Sequence, residues 1–124
     1  MGAQENKQEA EAAYRAFASG DAARAMENMD ESIEWTTPGD HALSGTRHGK
    51  QEIGEFWGQL AGKEFRTEPT EFIADGDKVI VLTSVTLDGD TVESADVLTF
   101  NGDGRLIAFD TRGDPAVANR VFAN

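Results

Sequence analysis

The sequence predicts an α+β domain in which helices cover one face of a strongly curved, mainly antiparallel sheet. Three observations carry that prediction. Apolar residues recur mostly at helical spacing up to about residue 62 and at every second position beyond residue 64. The second half is punctuated by Asp-Gly and Asn-Gly sequences of the kind that turn hairpins. The length, 124 residues, suits one domain spanning 1–124, with no linker, repeat or low-complexity stretch to divide it.

From residue 4 to 18, Ala10, Ala13, Tyr14 and Phe17 fall three and four apart among Glu, Gln, Lys and Arg, the pattern of an amphipathic helix that Gly20 ends. Asp21 then reads as the N-cap of a shorter helix in which Ala22, Ala25, Met26 and Met29 share a face, with a turn at Asp30-Glu31. Residues 32–37 alternate and are β-branched or aromatic, which predicts a strand with Ile33, Trp35 and Thr37 on one side and Pro38-Gly39 at its end. The stretch from Asp40 to Gly49 holds both histidines and reads as an exposed loop. A third helix follows from about Lys50, with Ile53, Phe56, Trp57 and Leu60 in phase and Gly62 as its stop. Four strands are expected over 65–74, 78–87, 91–100 and 105–112, joined in series as hairpins. Pro69 lacks a ladder donor and so marks an edge or a bulge in the first of them. Asp114-Pro115 opens a short terminal helix over 116–122.

Composition narrows the partners. Acidic residues number 23 against 11 basic ones, and a net charge of −12 repels the phosphate backbone of nucleic acid and anionic lipid surfaces. No apolar run approaches the roughly 20 residues that cross a bilayer, and the N-terminus lacks a secretory pattern, so the expected location is the cytoplasm. The chain has no cysteine, hence no disulfide, thiolate nucleophile or cysteine zinc site. His41 and His48 with Asp40 do not make a metal-ligand spacing, and no cofactor motif is present.

Asp96 is the most informative acid. On its strand the two faces are Val92, Ser94, Asp96, Leu98, Phe100 and Thr91, Glu93, Ala95, Val97, Thr99, so Asp96 shares a side with the larger apolar residues. An acid there is either a satisfied structural carboxylate or a working group with a raised pKa, and both readings stand. The parity of the last strand turns Ile107, Phe109 and Thr111 inward and Asp110 outward with Leu106, Ala108 and Arg112, unless a bulge reverses it. Tyr14 lies on the apolar face of the first helix. Trp35, Phe56, Trp57 and Phe109 are either core or the lining of a cavity for a flat, apolar ligand. Histidine is the side-chain type that titrates nearest neutrality, so His41 and His48 stand as candidate bases at the cavity rim.

The run Tyr14, Gly20-Asp21, Ile33-Glu34-Trp35, Pro38-Gly39, Gly45, Gly49, Ile53 and Phe56, followed by Gly76-Asp77-Lys78-Val79 and Asp103-Gly104-Arg105-Leu106, resembles the SnoaL-like branch of the nuclear transport factor 2-like superfamily. That superfamily also contains ketosteroid isomerase and limonene epoxide hydrolase. The resemblance covers almost the whole chain and implies a cone-shaped α+β barrel, three N-terminal helices, a short C-terminal one, a deep pocket and homodimerisation through the outer sheet face. It implies no single chemistry. Where ketosteroid isomerase carries its carboxylate base, this chain has Thr37. Its protonated oxyanion-hole acid maps to Asp96, and its catalytic tyrosine maps to Ala13, one residue from Tyr14. The acid-arginine-acid set of limonene epoxide hydrolase maps to Thr83, Val85 and Thr111, so it is lost. The acid near the end of the last strand in SnoaL-type cyclases has Asp110 as its nearest counterpart.

Taken together, the expectation is a homodimeric domain that binds a small hydrophobic organic molecule in an interior pocket. Its cofactor-free acid-base chemistry would be of isomerase, cyclase or hydratase type, with Asp96, Tyr14, His41, His48 and Asp110 as catalytic candidates. Trp35, Thr37, Phe56, Trp57, Val85, Phe109 and Thr111 are the candidate ligand contacts. The alternatives are a non-catalytic carrier and a protein-interaction module on the same scaffold.

Overall fold

A computed structural model describes residues 2–123. Helix α1 (Ala3–Ala18) and the single-turn α2 (Ala22–Met26) lead into strand β1 (Met29–Thr37); β2 (Gly45–His48) and helix α3 (Gly49–Ala61) follow. Strands β3 (Phe65–Asp75), β4 (Lys78–Leu87), β5 (Asp90–Phe100) and β6 (Leu106–Gly113) complete the sheet, and α4 (Ala116–Val121) closes the chain. One six-stranded, curled and unclosed sheet runs in the order β2-β1-β6-β5-β4-β3. All pairings are antiparallel except β1 with β6. Helices α1 and α3 pack on the concave side, α1 against β3 and β4, and α3 against β1 and β2.

The meander follows its turn chemistry. Asp88 and Gly89 both adopt positive φ, 52° and 90°, which is the pair of left-handed residues that a two-residue hairpin turn with the right twist requires. Pro69 sits on the edge strand β3, and the register slips between Pro69 and Glu71, because proline cannot donate to the ladder there.

Three expectations about elements need correction. The second helix is only five residues long, and Met29 belongs to β1 rather than to its face; the turn falls at Glu27-Asn28, before the predicted Asp30-Glu31. There Asn28 ties the chain to the Gly104 carbonyl, and the Leu106 amide bonds to Asn28, so pairing with β6 draws these residues into the sheet. The stretch 40–49 is not one exposed loop. Gly45–His48 pairs with β1 through Trp35↔Arg47 and Thr36↔Thr46, and His41 and Leu43 are buried. In β6 one residue bulges: Thr99 faces Ala108 while Phe100 faces Leu106, so Leu106 is buried and Ile107 is not. From Ala108 onward the expected parity holds.

The dense core contains the fully buried Ile33, Ile53, Val79, Val81 and Leu98, with Tyr14 and Phe109 at its border. A second, smaller cluster of Leu43, Phe56 and Leu60 lies under α3. Trp35 and Trp57 pack against both. The space the two clusters leave is the cavity described below.

The loop after β1 is locked against the C-terminal helix at Gly39. Its φ is +114°, and an added Cβ would lie 2.7 Å from Asn119 Oδ1 and 2.9 Å from Pro115 Cβ. Gly39→Ala is therefore expected to lower stability by about 1–3 kcal/mol in urea denaturation, against about 0.5 kcal/mol or less for an exposed substitution such as Lys78→Ala.

Candidate functional site

A cavity of about 190 Å³ opens between the helices and the concave sheet face. For scale, an engineered apolar cavity of about 150 Å³ holds benzene, so there is room for a substituted aromatic ring. Its walls are apolar for the most part; Thr37, Thr111 and Asp96 form one polar row on the sheet, and His41, Thr67, Ser94 and Asp114 lie elsewhere in the lining.

The strand registers build that row. Asp96 on β5 faces Thr111 on β6. Thr36 pairs with Asp110 across the parallel β1–β6 junction, so Thr37 and Thr111, one step on, lie on neighbouring strands. Thr37, Thr111 and Asp96 thus line the cavity side by side at a strand spacing of about 4.8 Å. One pleat repeat below, Trp35 and Phe109 are register partners whose rings stack 3.6 Å apart at 6°. A polar tier therefore rests on an aromatic floor.

Helix α1 supplies the roof. Tyr14 is held edge-on to Phe72, with ring centroids 5.6 Å apart, and its hydroxyl donates to Asp96 Oδ2. Thr111 Oγ1 donates to Asp96 Oδ1 over 3.1 Å. The carboxyl group is only 7% exposed and has no cationic partner, so burial pushes its pKa up to about 6 although both hydroxyls pull it down. Burial and the adjoining Asp96 charge in turn push the Tyr14 hydroxyl well above its ordinary value. Near neutral pH the cluster is a carboxylate poised to take up a proton, between two neutral hydroxyls.

Of the other predicted catalytic residues, none joins this cluster. His41 is buried and lines the cavity, but its ring belongs to its own loop. Nδ1 accepts from the Leu43 amide at 3.1 Å, which leaves Nε2 to donate to the Pro38 carbonyl at 3.2 Å. His48 is exposed and lies outside the cavity, with Nδ1 3.5 Å from Glu34; its backbone amide bonds Glu52 at the start of α3. Asp110 points to the outer face and pairs with Arg112 at 2.6 Å. The seven ligand-contact candidates, Trp35, Thr37, Phe56, Trp57, Val85, Phe109 and Thr111, all line the cavity. Among the described residues no group of three or more His, Cys, Asp or Glu is arranged to hold a metal ion.

Two features escaped the sequence reading. Thr37 Oγ1 is buried without a hydrogen-bond partner, a state that costs free energy. Helix α4 also walls the cavity through Val117 and Ala118, and Phe122 just beyond it does the same. The four-residue spacing of Ala118 and Phe122 was the one available signal for an inward face.

The curled sheet, its helical cover and the interior cavity define the cone fold of the nuclear transport factor 2-like proteins. Residues 10–109 match the SnoaL-like domain family, and the chain belongs to that family. No curated protein matches it. Among solved structures it is similar to a nuclear transport factor 2-like protein of unknown function from Burkholderia pseudomallei K96243, with 28% identity over 97% of this chain and 98% of that one and a TM-score of 0.84. It is also similar to Bal32a from a soil-derived mobile gene cassette, with 26% identity over 98% of both chains and a TM-score of 0.87. TerC, co-crystallised with polyporic acid, shares 25% identity over 97% of this chain and 99% of that one at a TM-score of 0.84.

The Asp96 environment has a measurable thermodynamic signature. Its pKa of about 6 in the folded chain lies above the ordinary 3.8, so the folded state holds this proton more tightly than the unfolded one. The resulting stability is present below about pH 4 and lost as pH rises through 6, a difference of about 3 kcal/mol. Asp96→Asn keeps the shape and removes the titration. Relative to the wild type, its urea-unfolding free energy is expected to rise across pH 4 to 6.5 and to level off above that. An unchanged difference across the window would contradict the buried-acid description.

Proposed function

We propose that this protein binds a small, largely apolar organic molecule in the interior cavity and performs cofactor-free proton transfer on it, with Asp96 as the proton-accepting and proton-returning group. The observation that carries the reading is the Asp96 carboxyl group inside a largely apolar hollow, bonded to two side-chain hydroxyls rather than to a cation. A purely structural carboxylate is usually neutralised by Arg or Lys or by backbone amides, which lower its pKa. Here burial raises it toward neutrality, where an acid-base group works best. Tyr14 and Thr111 orient the carboxylate, and the stacked Trp35 and Phe109 give an apolar wall for a ring to pack against. The reaction classes this set suits are isomerisation, cyclisation and hydration. That TerC was co-crystallised with polyporic acid supports the binding of a small organic molecule on this scaffold.

The same proposal includes a homodimer. Ile73 and Leu82 are exposed on the outer sheet face, and Ile80 and Val97 continue the Ile73 row across the next two strands. A second copy meeting this face would cover it.

Two measurements test the site. An uncharged, polarity-sensitive fluorophore, 1-aminonaphthalene, is expected to bind one per chain with blue-shifted emission, and Val85→Trp is expected to abolish that binding by filling the cavity. In a carbon-13 NMR titration the Asp96 carboxyl signal is expected to move with a midpoint near pH 6. A midpoint below about 4.5 would remove the proton-transfer role and leave a non-catalytic binder.

A further inference from the structure

The hydrogen-bonding capacity of the polar row restricts what the cavity accepts. With Asp96 ionised, Tyr14 and Thr111 must both direct their protons at its oxygens, because a carboxylate has none to give. What these three residues still offer an occupant is lone pairs only. His41 offers nothing further, since one ring nitrogen accepts from Leu43 and the other bonds to Pro38 within its own loop. No lysine or arginine lies among the described residues that line the cavity, and the whole chain carries a charge of −12. An anionic ligand would enter with no counter-charge and would face Asp96. A neutral carbonyl or ether oxygen placed against these three residues would exchange its water for their lone pairs.

We propose that the cavity selects uncharged ligands that bring their own hydrogen-bond donor, a hydroxyl or an N–H, to the Tyr14–Asp96–Thr111 cluster. Phosphorylated, sulfated and carboxylated molecules are excluded. The ring carrying that donor packs against the Trp35–Phe109 pair. The donor's proton is the one Asp96 is placed to accept. The assignment rests on the small-molecule reading above and sharpens it to a ligand class.

Three probes decide the matter by calorimetric titration of the full chain at pH 8. They are 4-propylphenol, its isomer 4-ethylanisole and 4-propylbenzoate. The phenol and the anisole have the same atoms and nearly the same volume, and differ in whether the oxygen carries a proton. The phenol is expected to bind about tenfold tighter than the anisole or better, and the benzoate is expected to show no saturable binding. Asp96→Asn places an amide donor in the row, so its preference for the phenol is expected to shrink to within about threefold, mainly because the anisole gains. Equal or tighter binding of the anisole, or saturable binding of the benzoate, overturns the donor rule while leaving the small-molecule reading in place. If none of the three binds, both fall.

Discussion

A buried carboxyl group in a largely apolar hollow without a cation beside it is the constraint to which the rest of this architecture answers. Two hydroxyls from different parts of the chain converge on Asp96, one from α1 and one from β6, and each must be delivered to within hydrogen-bonding reach. The β5–β6 register that sets Asp96 opposite Thr111 cannot slip by one residue without sending one of the two side chains to the outer face. The helix must hold Tyr14 at a fixed height above the sheet, which its edge-on contact with Phe72 and its burial beside Ala10 accomplish. An ionised acid in such surroundings opposes folding. The offset comes from apolar burial elsewhere, in the closely packed cluster of Ile33, Ile53, Val79, Val81 and Leu98.

The curl of the sheet turns this local arrangement into a site. Side chains on the concave face form tiers because neighbouring strands are in register, and the tiers differ in character. Trp35 and Phe109 occupy one, Thr37, Thr111 and Asp96 the next. Since the sheet is not closed, access is governed by the elements laid over it: α1, α3, the 38–44 loop and α4. The loop and α4 are tied to each other through the Ala42 amide on the Phe122 carbonyl and the Asp40 amide on Asn119. The chain end is thereby part of the cavity wall.

Much of this was legible in the sequence because it obeys short-range rules. Alternation over β3 to β6, the Asp-Gly turns and the parity of β5 placed Asp96 on the inner face from residue types alone. What was not legible depended on partners distant in the chain. The strand Gly45–His48 is four residues of ordinary composition, and only its pairing with β1 makes it a strand. His41 looked like a solvated loop residue, yet a tight turn around Ser44 and contact with Phe122 bury it. Leu106 and Ile107 exchanged faces through a bulge that no residue type announces. Motif spacing gave the tyrosine position to Ala13, whereas the helix phase brings Tyr14 to the acid. The sequence left the direction of Asp110 open to a bulge and kept it as a catalytic candidate; the bulge falls earlier, at Leu106, and Asp110 lies on the outer face with Arg112.

The chain contains two tryptophans, Trp35 and Trp57, and both stand in the cavity wall with their ring centroids 5.6 Å apart. All of the molecule's indole emission consequently originates at the spot where an occupant would lodge, with no bystander fluorophore of that kind to dilute the signal. Nature has in effect wired an optical gauge into the chamber, and unlabelled compound collections can be surveyed on the untouched polypeptide with an ordinary fluorimeter.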